Sequence, residues 1–159
     1  MIDAVLLNIL EDCTNEIDNI EERIERDKFD SIVPYLTKYA LIRACSSIEL
    51  VYKEMIVQVL SEGASDLTKK FIESNIRDSS SNPSSGQIER LLQSLNEDWK
   101  IKFHDKLKGT EEKGALNSLV TNRNAFAHGR TMTASIQEVK NYFKKSKSVL
   151  IWLDEILNQ

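Results

Sequence analysis

From Tyr35 to Leu60 the sequence reads YLTKYALIRACSSIELVYKEMIVQVL, with no glycine or proline and with apolar side chains nearly all round a helical wheel. A helix that is apolar on every side has to be enclosed by neighbours, so the rest of the chain must be arranged around this segment. It begins near Ser31 and Pro34, since proline is tolerated in a first helical turn, and ends about Leu60. Arg43, Ser47 and Glu54 interrupt its apolar character. At about 100° per residue they share one face with Leu36, Tyr39 and Leu50. A charge buried there without a partner is costly, so the face needs a counter-charge or water. A structural ion pair and a functional site both satisfy that requirement.

The segments around it carry helical periodicity too. Ile2, Leu6, Ile9, Cys13, Ile17, Ile20 and Ile24 line one side of an opening helix that ends near Arg26, and Glu11, Asp12, Glu16, Asp18, Glu21 and Glu22 give it an acidic, solvated side. A third helix is expected over about Ala64 to Asp78, then a loop, SSSNPSSG, from Ser79 to Gly86. The next helix starts at Gln87 with Ile88, Leu91, Leu92 and Leu95 inward, and a short one carrying Trp99, Ile101, Phe103 and Leu107 ends at Gly109. Thr110 is an N-cap for a sixth helix, and Ser135 with Glu138 forms a capping box for the last. No segment alternates with period two. The expectation is an all-α, single-domain helical bundle over residues 1–159, with long antiparallel helices and shorter accessory ones.

Hydrophobic residues at 41% and charged residues at 29% describe a globular chain rather than a disordered one. A net charge of −4 excludes a broadly basic nucleic-acid coat, though a local positive cleft is compatible with it. Cys13 and Cys45 fall inside apolar helical patterns and read as two buried reduced thiols. No run approaches the roughly 18 apolar residues of a membrane span, and no leader pattern precedes the first helix, so no membrane partner and a cytoplasmic location are expected.

The stretch ALNSLVTNRNAFAHGR, Ala115 to Arg130, carries the chemistry. On the wheel, Leu116, Leu119, Val120, Phe126 and Ala127 form an apolar stripe, and Arg123 falls in its middle. An always-charged guanidinium there needs a carboxylate, carbonyls or a bound phosphate. Asn124 and His128, four apart, are neighbours on the flank of the stripe. Gly129 fits the position that follows a helix end, which places His128 at a mobile exit, where the helix dipole favours its protonated form. An imidazole can move a proton to or from a ribose hydroxyl, a guanidinium can hold phosphate, and an amide can orient either. A histidine before a glycine is also an ordinary helix cap, and an interface arginine can be an ordinary salt bridge. With two histidines and no HxxxH or CxxC spacing, neither a metal site nor a cofactor is expected. His104, among Lys102, Lys106 and Lys108, reads as part of a solvated face, and Trp99 and Trp152 read as core.

Arg123-Asn124-x-x-x-His128 resembles the Arg-polar-x(3–5)-His signature of the HEPN superfamily, and LVTNRNAFAHG is similar in texture to its RiboL-PSP type. The resemblance implies an α-helical bundle and a metal-independent endoribonuclease whose catalytic set is Arg123, Asn124 and His128. It implies a homodimer with motif helices facing across a shared cleft, a role in toxin–antitoxin or antiviral defence, and an antitoxin or other regulatory protein as partner. Toxins of this kind often carry a tyrosine two residues after the histidine, which the partner modifies. Here that residue is Arg130, which puts such regulation in doubt and could instead add positive charge at the cleft mouth. Arg43, Ser47 and Glu54 are candidates for supporting groups. The alternative reading is a non-catalytic module that binds RNA, a nucleotide or a protein partner.

Overall fold

The computed structural model describes residues 2–159 as an all-α protein. Its helices are α1 (Ala4–Arg26), α2 (Val33–Ser61), α3 (Asp66–Ile72), α4 (Ser85–Leu95), α5 (Glu97–Leu107), α6 (Glu111–Ala127) and α7 (Ile136–Leu157). The apolar segment behaves as its composition demands. As α2 it lies at the centre, packed on α1, α6, α7 and α3, with Ala40, Leu41, Ala44, Ile48, Val51 and Ile56 fully enclosed. α6 and α7 form an antiparallel hairpin against it, α1 closes the opposite flank, and the α4–α5 hairpin covers the far ends of α6 and α7. One continuous core runs through all of them. Cys13 and Cys45 are free thiols buried within it.

Helix ends follow local chemistry. Ser135 and Glu138 form the expected capping box, with the Glu138 carboxylate accepting from the Ser135 amide and the Ser135 hydroxyl accepting from the Glu138 amide. The Thr110 hydroxyl accepts from the Lys113 amide at the start of α6.

Three expectations are corrected. The acidic side of α1 is not simply solvated: Glu16 pairs with Arg43 of α2, and Asp18 and Glu21 both pair with Lys140 of α7. The third helix does not run unbroken to Asp78. It starts at Asp66 and widens into a π-helical turn, Glu73–Arg77, where the Asn75 side-chain amide donates to the Phe71 carbonyl. A side chain inserted into the backbone ladder is a recognised cause of such a departure. α4 begins at Ser85 rather than Gln87, because Asn117 of α6 accepts from both the amide and the hydroxyl of Ser85 and so makes burial of that turn tolerable.

Candidate active site

The site is built where α6 outruns the core. Leu116 and Leu119 are completely enclosed and Val120 nearly so, which anchors the first two-thirds of the helix. From Asn122 to Phe126 the side chains are only half-buried, and Ala127, His128, Gly129 and Arg130 are exposed. The expected apolar stripe therefore does not continue through Phe126 and Ala127. It stops after Val120: Phe126 is only half-buried, with Lys38 of α2 over its ring, and Ala127 is exposed.

The helix ends in a closed hydrogen-bonded cap. The His128 amide donates to the Asn124 carbonyl at 3.0 Å, the Gly129 amide to Phe126 at 3.0 Å and the Arg130 amide to Ala125 at 2.8 Å. Gly129 adopts φ = +70° at the one position of this cap that requires a left-handed backbone. The mobile exit expected from the sequence is thus a Schellman turn, and it fixes the backbone of both His128 and Arg130.

Arg123 points along the α2 side of the helix. An Nη1–H of its guanidinium donates to Asn124 Oδ1 at 3.1 Å, and among the described residues it has no carboxylate partner. Its charge is felt at Cys45 of α2. Burial pushes the Cys45 thiol up to about 12, and Arg123 opposes part of that rise. Asn124 is half-buried and held by Arg123, whereas the His128 imidazole projects into solvent without a hydrogen-bond partner among the described residues. Around the helix axis the order is Phe126, Arg123, Asn124, His128, with no step larger than about 100°. The four form one tract across the end of α6.

Lys38 of α2, which the sequence did not single out, reaches this tract. Its ammonium lies 5.4 Å from the centre of the Phe126 ring and 5.6 Å from that of Tyr35. The available signal was positional, since Lys38 sits seven residues before Cys45 and so falls on the same side of α2.

The other candidates divide. Arg130 stays with the tract through the cap. Arg43, Ser47 and Glu54 do not join it: on α2 they lie roughly 180° from Cys45, toward α1 and α3. The Arg43 Nε–H donates to both oxygens of Glu16, an Nη1–H donates to Ser47 Oγ, and Glu16 also accepts from the Tyr39 hydroxyl. Glu54 pairs with Arg77 of the π turn. The face has found its partners within the fold. His104 meets Glu89 at 3.3 Å, tying α5 to α4, while Trp99 and Trp152 pack against the core. Among the described residues no three His, Cys, Asp or Glu side chains gather as metal ligands, and no helix is long and apolar enough to cross a membrane.

The model of the RiboL-PSP-HEPN family matches residues 8–159, nearly the whole sequence. The chain belongs to that family. No curated protein and no solved structure shows significant similarity to it. Membership identifies the bundle as a HEPN domain, in a family many of whose members are ribonucleases. The HEPN match runs through all of α6, so the Arg123–His128 tract lies inside the domain and not in an appendage.

Proposed function

We propose that this HEPN domain is a metal-independent endoribonuclease in which Arg123, Asn124 and His128 carry the chemistry. The observation that supports it most is the state of Arg123: a guanidinium at the edge of the core, bound to a neutral amide, with no carboxylate to neutralise it. Such a group has its anion-binding capacity free, and a phosphate satisfies it bidentately.

In the reaction, an imidazole of His128 accepts the proton of a ribose 2′-hydroxyl. The 2′-oxygen then attacks the adjacent phosphorus, the bond from phosphorus to the 5′-oxygen breaks, and the leaving oxygen takes up a proton. The products are a 2′,3′-cyclic phosphate and a 5′-hydroxyl end, with one proton accepted and one returned. A homodimer that faces two α6 ends across one cleft supplies two imidazoles, one as base and one as acid. The exposed position of His128 suits a group whose surroundings are completed by substrate or by a second copy. The Arg123 guanidinium offsets charge on the phosphoryl oxygens, and Asn124 holds that guanidinium in place. Arg130 adds a cation at the mouth of the cleft. The proposed setting is toxin–antitoxin or antiviral defence, with an antitoxin or regulatory protein restraining the activity.

One observation favours the second reading, a module that binds RNA, a nucleotide or a protein without cutting. The chain carries a net charge of −4, and many of its cations are already paired across helix seams. RNA cleavage by the purified protein in excess EDTA, beside Arg123→Ala and His128→Ala, separates the two. Cyclic-phosphate ends that disappear in both variants establish the nuclease. Intact RNA throughout, or equal cutting by the variants, establishes the binding module in its place.

A further inference from the structure

The tract across the end of α6 continues onto α2 in a way that the proposed chemistry does not use. Tyr35 is 70% exposed although it is a large aromatic side chain near the start of a helix that is otherwise central. One face of its ring carries the Lys38 ammonium, which is shared with the ring of Phe126. Lys38 has no carboxylate partner among the described residues, in contrast to Lys53, Lys113, Lys140 and Lys145, all of which pair with acids. The outcome is a ring, a free cation and a second ring in sequence, leading directly to Arg123 and then His128.

An exposed ring beside an unneutralised cation matches the two parts of one nucleotide, a flat base and an anionic phosphate. Stacking on an aromatic ring requires the base to be unpaired and splayed from its neighbours, which single strands allow and an A-form duplex forbids. We propose that Tyr35, Lys38 and Phe126 form a subsite for an unpaired nucleotide next to the phosphate held by Arg123. The base stacks on the open face of Tyr35, and Lys38 turns from the rings toward the phosphate. Phe126 sets the lysine's position and closes the inner side of the subsite. The enzyme therefore selects single-stranded RNA, and it does so by geometry rather than by reading a sequence. This inference rests on the nuclease reading for the identity of the strand, but it makes its own claim about affinity.

Binding tests it without cutting. A short unstructured RNA with 2′-O-methyl groups lacks the nucleophile and can be titrated into the intact wild-type protein by fluorescence anisotropy, beside a duplex of the same length. Tyr35→Ala is expected to weaken the single strand on the order of 10-fold while Tyr35→Phe retains it and duplex affinity stays level. Lys38→Ala is expected to weaken binding and to lower the salt slope by about one. Light scattering on each variant reports its mass. Unchanged single-strand affinity in Tyr35→Ala overturns the subsite. So does a loss accompanied by a change of mass, which makes Tyr35 a contact between copies, and so does an equal loss for duplex. Wild-type protein that binds neither RNA overturns it as well. The nuclease reading stands or falls separately, on the EDTA assay with Arg123→Ala and His128→Ala.

Discussion

α2 has an arginine environment on each flank, and the two are satisfied in opposite ways. On the α1 side, Arg43 is held by Glu16 and Ser47, with Tyr39 completing the carboxylate's bonds. On the α6 side, Arg123 is held by Asn124 alone. Both guanidiniums are only partly exposed and both interrupt an apolar helical pattern, yet one is neutralised and the other is not. An ion pair that bridges two helices helps to fix how those helices meet. A cation left with a neutral amide contributes little to that and keeps its charge unneutralised. Similar positions in the sequence thus end in an ion pair at one flank and in an unneutralised cation at the other.

The sharpest way to break this contrast is to truncate both residues. Arg123→Ala should lower cleavage by two to three orders of magnitude, the range for removing one group that stabilises transition-state charge, while thermal unfolding shifts by no more than a few degrees. Arg43→Ala should do the reverse, losing about 1 kcal/mol of stability in denaturant titration with cleavage by the remaining folded protein little changed. A large activity loss in Arg43→Ala at full folding would erase the distinction.

Alkaline unfolding gives a smaller effect with a worked sign. The Cys45 thiol ordinarily titrates near 9.0, and burial raises it to about 12 in the folded chain. The neutral thiol's contribution is complete below 9.0 and is lost as pH rises from there toward 12. Cys45→Ala should flatten stability over that window. Arg123→Ala should extend the loss to higher pH, since it removes a charge that favours the thiolate. On the other flank the effect is acidic and smaller still. The Arg43 hydrogen bond holds Glu16 below its ordinary 4.5. Its contribution is present above that value and disappears as pH falls through the depressed one. Acid titration of Glu16→Gln should show a shallower loss than the parent.

Much of the fold was readable because it depends on local chemistry. Ser135 with Glu138, Thr110, and Gly129 after His128 mark helix ends through bonds made within a few residues, and the all-round apolarity of α2 announces its central place. The motif itself was readable for the same reason, since Arg123, Asn124 and His128 share five consecutive helical steps. What was hidden depends on which helices meet. Arg43 and Ser47 share a face with Tyr39 as the wheel predicts, but only the position of α1 decides that Glu16 answers them. Phe126 continues an apolar spacing into a turn where the core has already ended. Lys53, almost wholly buried, gives no sign in sequence that Glu49 and the Ser79 carbonyl will enclose its ammonium. The π turn at Glu73–Arg77 likewise packs on α2, where Arg77 pairs with Glu54 across helices.

The turn that ends α6 ties the His128 imidazole to helix fraying. His128 is the residue at which the helix stops, and the Gly129 and Arg130 amides close back over the last turn. Whenever that turn opens, the imidazole leaves its place relative to Arg123, which is anchored a full turn deeper. The time that the proposed pair spends assembled is then set by the opening equilibrium of three amides. Their exchange rates with solvent deuterium measure that equilibrium directly, residue by residue, in protein that has never met its substrate.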